Sequence, residues 1–190
     1  ILAKYMDKSG AALSIAQKLM SLVGTGSPYR ALVSLFVIAS VLTYGGINVF
    51  VVIFILIPMA VPIFRQYDIS WPLVIIPIFG GGATYTMTMM PASPSLHNVV
   101  PSNALGTPLT AAPLVGVLTS AAAIAFLLIY MKVALSRSQS RGEVFEATVD
   151  TANTDMFDRE KPSFWVSILP IATLLILIMA LSSVDQIIIY

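Results

Sequence analysis

Two stretches of uncharged polar residues hold the groups in this chain that could do chemistry. The first is Thr43-Tyr44-Gly45-Gly46-Ile47-Asn48. The second runs from Thr84 to Asn98 and carries Thr84, Tyr85, Thr86, Thr88, Ser93, Ser95, His97 and Asn98, with Pro91 and Pro94 among them. Paired glycines and internal prolines stop a helix, so each stretch predicts a break followed by a new helix start. One start falls after Asn48. The other falls after Ser93, with Ser93 as N-cap and Pro94 at the first helical position. Helix N-termini present unpaired N–H groups and the positive end of the dipole, which together bind an anion without a cationic side chain. No Lys or Arg lies in either stretch to take that role. The ligand so implied is a small, singly charged organic anion. Its neutral end would meet Thr43, Tyr44, Asn48, Thr86, Thr88, Ser93, Ser95, His97 and Asn98, with the Gly45 and Gly46 backbone beside them. The competing reading is that these hydroxyls only satisfy the broken backbone.

His97 is the only Asp, Glu, Lys, Arg or His between Ile69 and Met131. An ionisable group in apolar surroundings is functional by default, and imidazole changes charge near physiological pH. It is the candidate proton carrier, with a neutral ring that packs the break as the alternative. No second metal ligand stands near it in sequence, so no metal site is expected. Gly80-Gly81-Gly82 lacks the Gly-Lys-Ser/Thr ending of a phosphate loop, and neither G-x-S-x-G nor H-E-x-x-H occurs. Neither an enzyme nor a cofactor is expected.

These stretches sit in a chain of 190 residues that is 57% hydrophobic and 10% charged. Soluble domains carry about 25% charged residues. Ten Lys and Arg against nine Asp and Glu leave a net charge of +1, so no basic face is offered to nucleic acid. Residues 31–64, 69–131 and 162–184 contain no Asp, Glu, Lys or Arg. Each window exceeds the about 20 residues a span requires. The fold class is therefore an all-α polytopic membrane protein in contact with the lipid bilayer. The absence of cysteine excludes disulfide and thiolate chemistry. The chain opens on Ile1 without the pattern of a signal peptide and ends on Ile187-Ile188-Ile189-Tyr190, which reads as an internal fragment.

Residues 1–26 predict an amphipathic arm in the membrane interface, with Lys4, Asp7, Lys8, Gln17 and Lys18 on its polar side. As one helix, residues 31–64 would reach about 51 Å, well past the ~30 Å hydrocarbon core. The arms 31–42 and 49–64 reach only about 18 and 24 Å, which predicts a re-entrant hairpin tipped by the glycine pair. Residues 72–131 predict a broken helix and then a spanning helix over 109–131. Close contact is expected at Gly80-Gly81-Gly82, and a small-residue seam at Ala112, Gly116 and Ser120. A charged loop over 132–161 and a transmembrane helix over 163–184 complete the chain. Residues 1–30 hold four Lys and Arg and residues 132–161 hold five, which places both in the cytoplasm. A hairpin at 31–64 keeps Arg65 on that side; the rival, with 31–64 crossing and 72–108 re-entrant, puts it outside.

The order and spacing of these motifs resemble a known family. Leu42-Thr43-Tyr44-Gly45-Gly46-Ile47-Asn48-Val49-Phe50, Thr86-Met87-Thr88, Pro91-Ala92-Ser93-Pro94 and Asn98 are similar to the gluconate:proton symporter (gluconate permease, GntP) family. Lys8-Ser9-Gly10-Ala11-Ala12 and Phe64-Arg65 leading to Asp68-Ile69 fit the same pattern, and the resemblance runs over residues 1–146. It implies a multi-pass carrier of the bacterial cytoplasmic (inner) membrane, within the ion transporter superfamily. Such carriers import gluconate and related sugar acids or hydroxy acids by symport, generally with protons. It also implies two inverted repeats, each with an interfacial arm, a re-entrant hairpin and a broken helix; this chain would hold the first and the start of the second. On this resemblance residues 43–48 are the hairpin tip and 91–98 the break. A sodium-coupled relative using the Gly45 and Gly46 carbonyls and a non-transporting packing subunit are the alternatives, and a homo-oligomer is allowed. The chain departs from the expected Gly-Thr-Pro and following glutamines with Ala92-Ser93-Pro94-Ser95-Leu96-His97-Asn98. A shorter acid such as glycerate or 3-hydroxybutyrate is thus as open as gluconate.

Overall fold

The computed structural model describes residues 26–146, residues 11, 14, 15, 18 and 21, and residues 162, 163, 165–170, 172, 173 and 176. Most of the arm expected over 1–26, the loop from 147 to 161, and much of the helix expected over 163–184 lie outside the described residues. The continuous part is helical throughout: α1 Pro28–Tyr44, α2 Val49–Gln66, a 3-10 turn Trp71–Val74, α3 Ile75–Gly82, α4 Tyr85–Thr88, α5 Leu96–Leu105 and α6 Pro113–Ser140.

Capping fixes the first two helices. Ser27 Oγ accepts the Arg30 N–H at 3.3 Å and Pro28 occupies the first turn, so α1 begins before the apolar window does. It ends where Gly46 turns left-handed, at φ 86, and the Ile47 and Gly46 N–H groups donate back to the Leu42 and Thr43 carbonyls. This Schellman closure favours a residue without Cβ at Gly46 and pairs two buried side chains, Leu42 and Ile47. Asn48 Oδ1 then accepts the Phe50 N–H at 2.9 Å and opens α2. The two arms turn at the glycine pair as expected, but they are 17 and 18 residues long, because α1 already starts at Pro28 and runs to Tyr44, and α2 continues through Pro58 and Pro62 to Gln66. At 1.5 Å per residue they measure about 25 and 27 Å. Among the described residues, α2 and α6 are long and apolar enough to cross a membrane. Arm length therefore no longer separates a re-entrant hairpin from a pair of crossings; the position of the ends has to do so.

The first helix is the buried centre of the bundle: Ala31, Leu32, Leu35, Ile38, Ala39 and Leu42 are fully enclosed. Its main partner is α3. A Cβ on Gly81 would collide with the Phe36 carbonyl and lie 2.9 Å from Ser40 Oγ, and one on Gly82 would sit 3.3 Å from Thr43 Cγ2. Gly80 meets Leu127 of α6 in the same way at 3.0 Å. The glycine triplet thus permits the close helix contact anticipated for it. Gly116 of α6 faces the Met89 carbonyl and Pro91, Leu127 faces Gly80, and the last turns border Leu73 and Ile76, so α6 runs antiparallel to residues 71–91. It continues to Ser140, nine residues past the expected end at 131. Lys132 and Arg137 are good helix formers; they mark where the surroundings turn polar, not where the helix stops.

Phe64 meets Trp71 edge-on at 5.6 Å, and Trp71 meets Phe145 edge-on at 6.0 Å. The Phe145 N–H donates to Asp68 Oδ1 at 2.8 Å, and the Arg65 guanidinium lies 5.7 Å from the Phe145 ring. These contacts gather the end of α2, the 3-10 turn and the segment after α6 at one end of the bundle, where α1 also begins with Arg30. Residues 43–48 and 84–116 make the opposite end, which carries no Asp, Glu, Lys or Arg.

Candidate functional site

The interruption between α3 and α5 is built by hydroxyls. Thr84 Oγ1 donates to the Gly80 carbonyl at 2.6 Å and Thr86 Oγ1 to the Gly81 carbonyl at 3.0 Å, so the last carbonyls of α3 are satisfied across the break. Thr43 Oγ1 approaches Thr86 Oγ1 at 3.0 Å and also donates to the Ala39 carbonyl at 2.8 Å, tying α1 to the same point. Beyond α4, the Ser93 hydroxyl donates back to the Thr86 carbonyl at 2.6 Å, and Asn98 Nδ2 donates to the Ser93 carbonyl at 3.2 Å. Tyr44, at the end of α1, donates its hydroxyl to the Pro91 carbonyl at 2.9 Å. Ala92 is left-handed at φ 60, and its N–H is held by the Leu109 carbonyl at 3.0 Å. A left-handed alanine costs on the order of 1–2 kcal/mol, which the surrounding hydrogen bonds offset.

The expected site residues divide into two groups. Thr43, Thr86 and Ser93 are buried and, with half-buried Tyr44 and Asn98, hold the break together. Gly45 and Gly46 form the turn between the arms. Asn48, Thr88 and His97 are exposed, and Ser95 is half-buried. Asn48 caps α2, Thr88 donates to the Thr84 carbonyl at 3.2 Å, and Ser95 Oγ lies 3.3 Å from His97 Nδ1. The N-cap of α5 is Ser95, accepting the His97 N–H at 3.3 Å, and not Ser93 as the sequence suggested. The physical reason is that Ser93 Oγ is already committed to Thr86 and the chain is still turning at Ala92. His97 is likewise not enclosed in the break but stands on the exposed first turn of α5.

Ser40 gave no signal in the sequence, nor did its pairing with Tyr85. Tyr85 donates its hydroxyl to Ser40 Oγ at 2.7 Å, and Ser40 donates to the Phe36 carbonyl at 2.7 Å, the carbonyl that Gly81 abuts. A lone serine in an apolar helix and a tyrosine 45 positions later carry no local signal of pairing. Ser120, read only as a packing position, is a buried hydroxyl without a hydrogen-bond partner among the described residues. No three His, Asp or Glu side chains come together among the described residues.

Two helices among the described residues are long and apolar enough to cross a membrane, and they belong to an all-α bundle centred on α1. The chain belongs to the GntP permease family: the family described as GntP family permease covers residues 1–190. It is 32% identical over 143 residues to the uncharacterized transporter YxjC of Bacillus subtilis (strain 168), a match covering 75% of this chain and 30% of that protein. The chain therefore spans less than a third of this relative's length. No solved structure matches it. Members of the family are permeases, which agrees with the absence of an expected catalytic role.

Proposed function

We propose that the whole protein is a secondary active transporter that imports a small organic anion, gluconate or a related sugar acid or hydroxy acid, together with protons. Family membership over residues 1–190 is the observation that carries this reading. The polar, uncharged break supports it, because such an interruption in a membrane suits a neutral hydroxylated body with one carboxylate. Buried Thr43, Thr86 and Ser93, with half-buried Tyr44 and Asn98, then position the break, while Asn48, Thr88, Ser95 and His97 contact substrate at its rim, where Asn98 also presents its amide. The carboxylate meets the N–H groups that open α2 and α5. His97 is the one His, Asp or Glu at this end of the described residues and serves as the proton carrier. The protein sits in the bacterial cytoplasmic membrane with its charged end inside, so that the α1–α2 pair enters and leaves on the cytoplasmic side.

Uptake by the full-length protein in proteoliposomes tests the reading. Labelled gluconate, glycerate and 3-hydroxybutyrate are offered under an imposed inward proton gradient and, separately, an inward sodium gradient. Saturable uptake of one of them under the proton gradient is expected. Uptake driven only by sodium would move the coupling to Na⁺, with the Gly45 and Gly46 carbonyls as ligands. No uptake of any of these acids under either gradient would leave a packing subunit.

A further inference from the structure

At the charged end, the 3-10 turn and the start of α3 stand away from the last turns of α6. The crevice between them has a volume of about 230 Å³. Its chemistry is graded. Leu73, Ile76, Val133 and Ala134 give it apolar walls; along α6 the lining runs from Tyr130 through Val133 and Ala134 to Arg137 in the last turn, with Arg141 just beyond the helix end. Glu143 is the one acidic group facing it; this carboxylate accepts from the buried Ser138 hydroxyl at 2.7 Å and lies 3.8 Å from Arg141. Two guanidinium groups against one carboxylate leave a single positive charge at the mouth of an apolar slot. Trp71, two residues before Leu73, packs between Phe64 and Phe145 as an aromatic at interface depth does.

We propose that this crevice is a binding site for an anionic phospholipid, its phosphate between Arg137 and Arg141 and one acyl chain along Leu73, Ile76 and Val133. The assignment rests on the membrane placement argued above. An apolar slot alone would accept any lipid tail; the surplus positive charge at its mouth selects the anionic headgroup. Lys132 provides an internal contrast, since it is a basic residue on the same helix, about 7.5 Å before Arg137 along the axis, that does not line the crevice.

Brominated lipids test this through tryptophan quenching, which reads neither uptake nor sidedness and so can fail independently of the transport reading. In the full chain carrying Trp165→Phe, Trp71 is the remaining tryptophan of this sequence. The protein is reconstituted in phosphatidylcholine, and brominated phosphatidylglycerol or brominated phosphatidylcholine is titrated in. Phosphatidylglycerol should quench preferentially. Arg137→Gln and Arg141→Gln should each lower that preference about five-fold, as expected for one basic residue near the surface, while Lys132→Gln leaves it unchanged. Arg137→Lys, which keeps the charge, should retain most of it, and Ala134→Phe, which fills the slot without altering charge, should lose it. Equal quenching by the two lipids, or the same loss with Lys132→Gln as with Arg137→Gln, would overturn the proposal.

Discussion

Thr86 ties three pieces of chain to one point. Its hydroxyl donates to the Gly81 carbonyl and meets Thr43, while its own carbonyl receives Ser93. Replacing it with valine keeps the shape but leaves a buried carbonyl without its donor, so Thr86→Val should lower stability by about 1–2 kcal/mol. Thr86→Ser should cost much less. Thermal unfolding in detergent checks both. His97 makes the opposite case, because among the described residues its ring meets Ser95 Oγ and no group of the break. The variant His97→Gln should fold and still move substrate down its own gradient, since an amide can hydrogen-bond a hydroxy acid as imidazole does. Uptake should lose its pH dependence, which is measured as initial rate across a pH series. An unchanged profile would remove His97 from proton coupling. The types and order of the polar residues were legible because they stand out against apolar sequence. Which of them face inward was not, since that depends on contacts between Thr43 and Thr86, or Ser40 and Tyr85, that no local pattern records.

At the scale of elements, the α1–α3 crossing depends on one missing methyl. Gly81→Ala would push a Cβ into the Phe36 carbonyl, which is backbone and cannot turn away. The variant should be destabilised by about 1–3 kcal/mol, with Gly116→Ala acting likewise against the Met89 carbonyl at 2.5 Å. Near-native melting of Gly81→Ala would show that the crossing is looser than described. The turn between α1 and α2 could be read from Gly45-Gly46 through local chemistry, whereas α3 already ends at Gly82, nine residues before the Pro91 at which the sequence suggested a break. Element ends were read less well. Ser93 and Ser95 both fit an N-cap, and only the hydrogen bond from Ser93 to Thr86 decides between them. Charge did not give the end of α6, because Lys132 and Arg137 continue a helix as well as they mark an interface.

For the whole molecule, the separation of charge is the main constraint on placement. Arg30, Arg65, Asp68, Arg137, Arg141 and Glu143 gather at one end and the interrupted helix lies at the other. Arg65 joins them through Phe145. A cysteine placed at Gln66, which is exposed, should resist a membrane-impermeant maleimide added outside intact cells and react once the membrane is opened. Ready labelling from outside would reverse the orientation of the α1–α2 pair. The central claim is that substrate binds at the rim of the break. It is tested most directly by substrate protection in the full-length transporter, with single cysteines introduced as Ser95→Cys and, as control, Lys132→Cys. A saturating transported acid should slow maleimide labelling at position 95 several-fold and leave position 132 untouched. Equal labelling rates at position 95 with and without that acid would contradict the account.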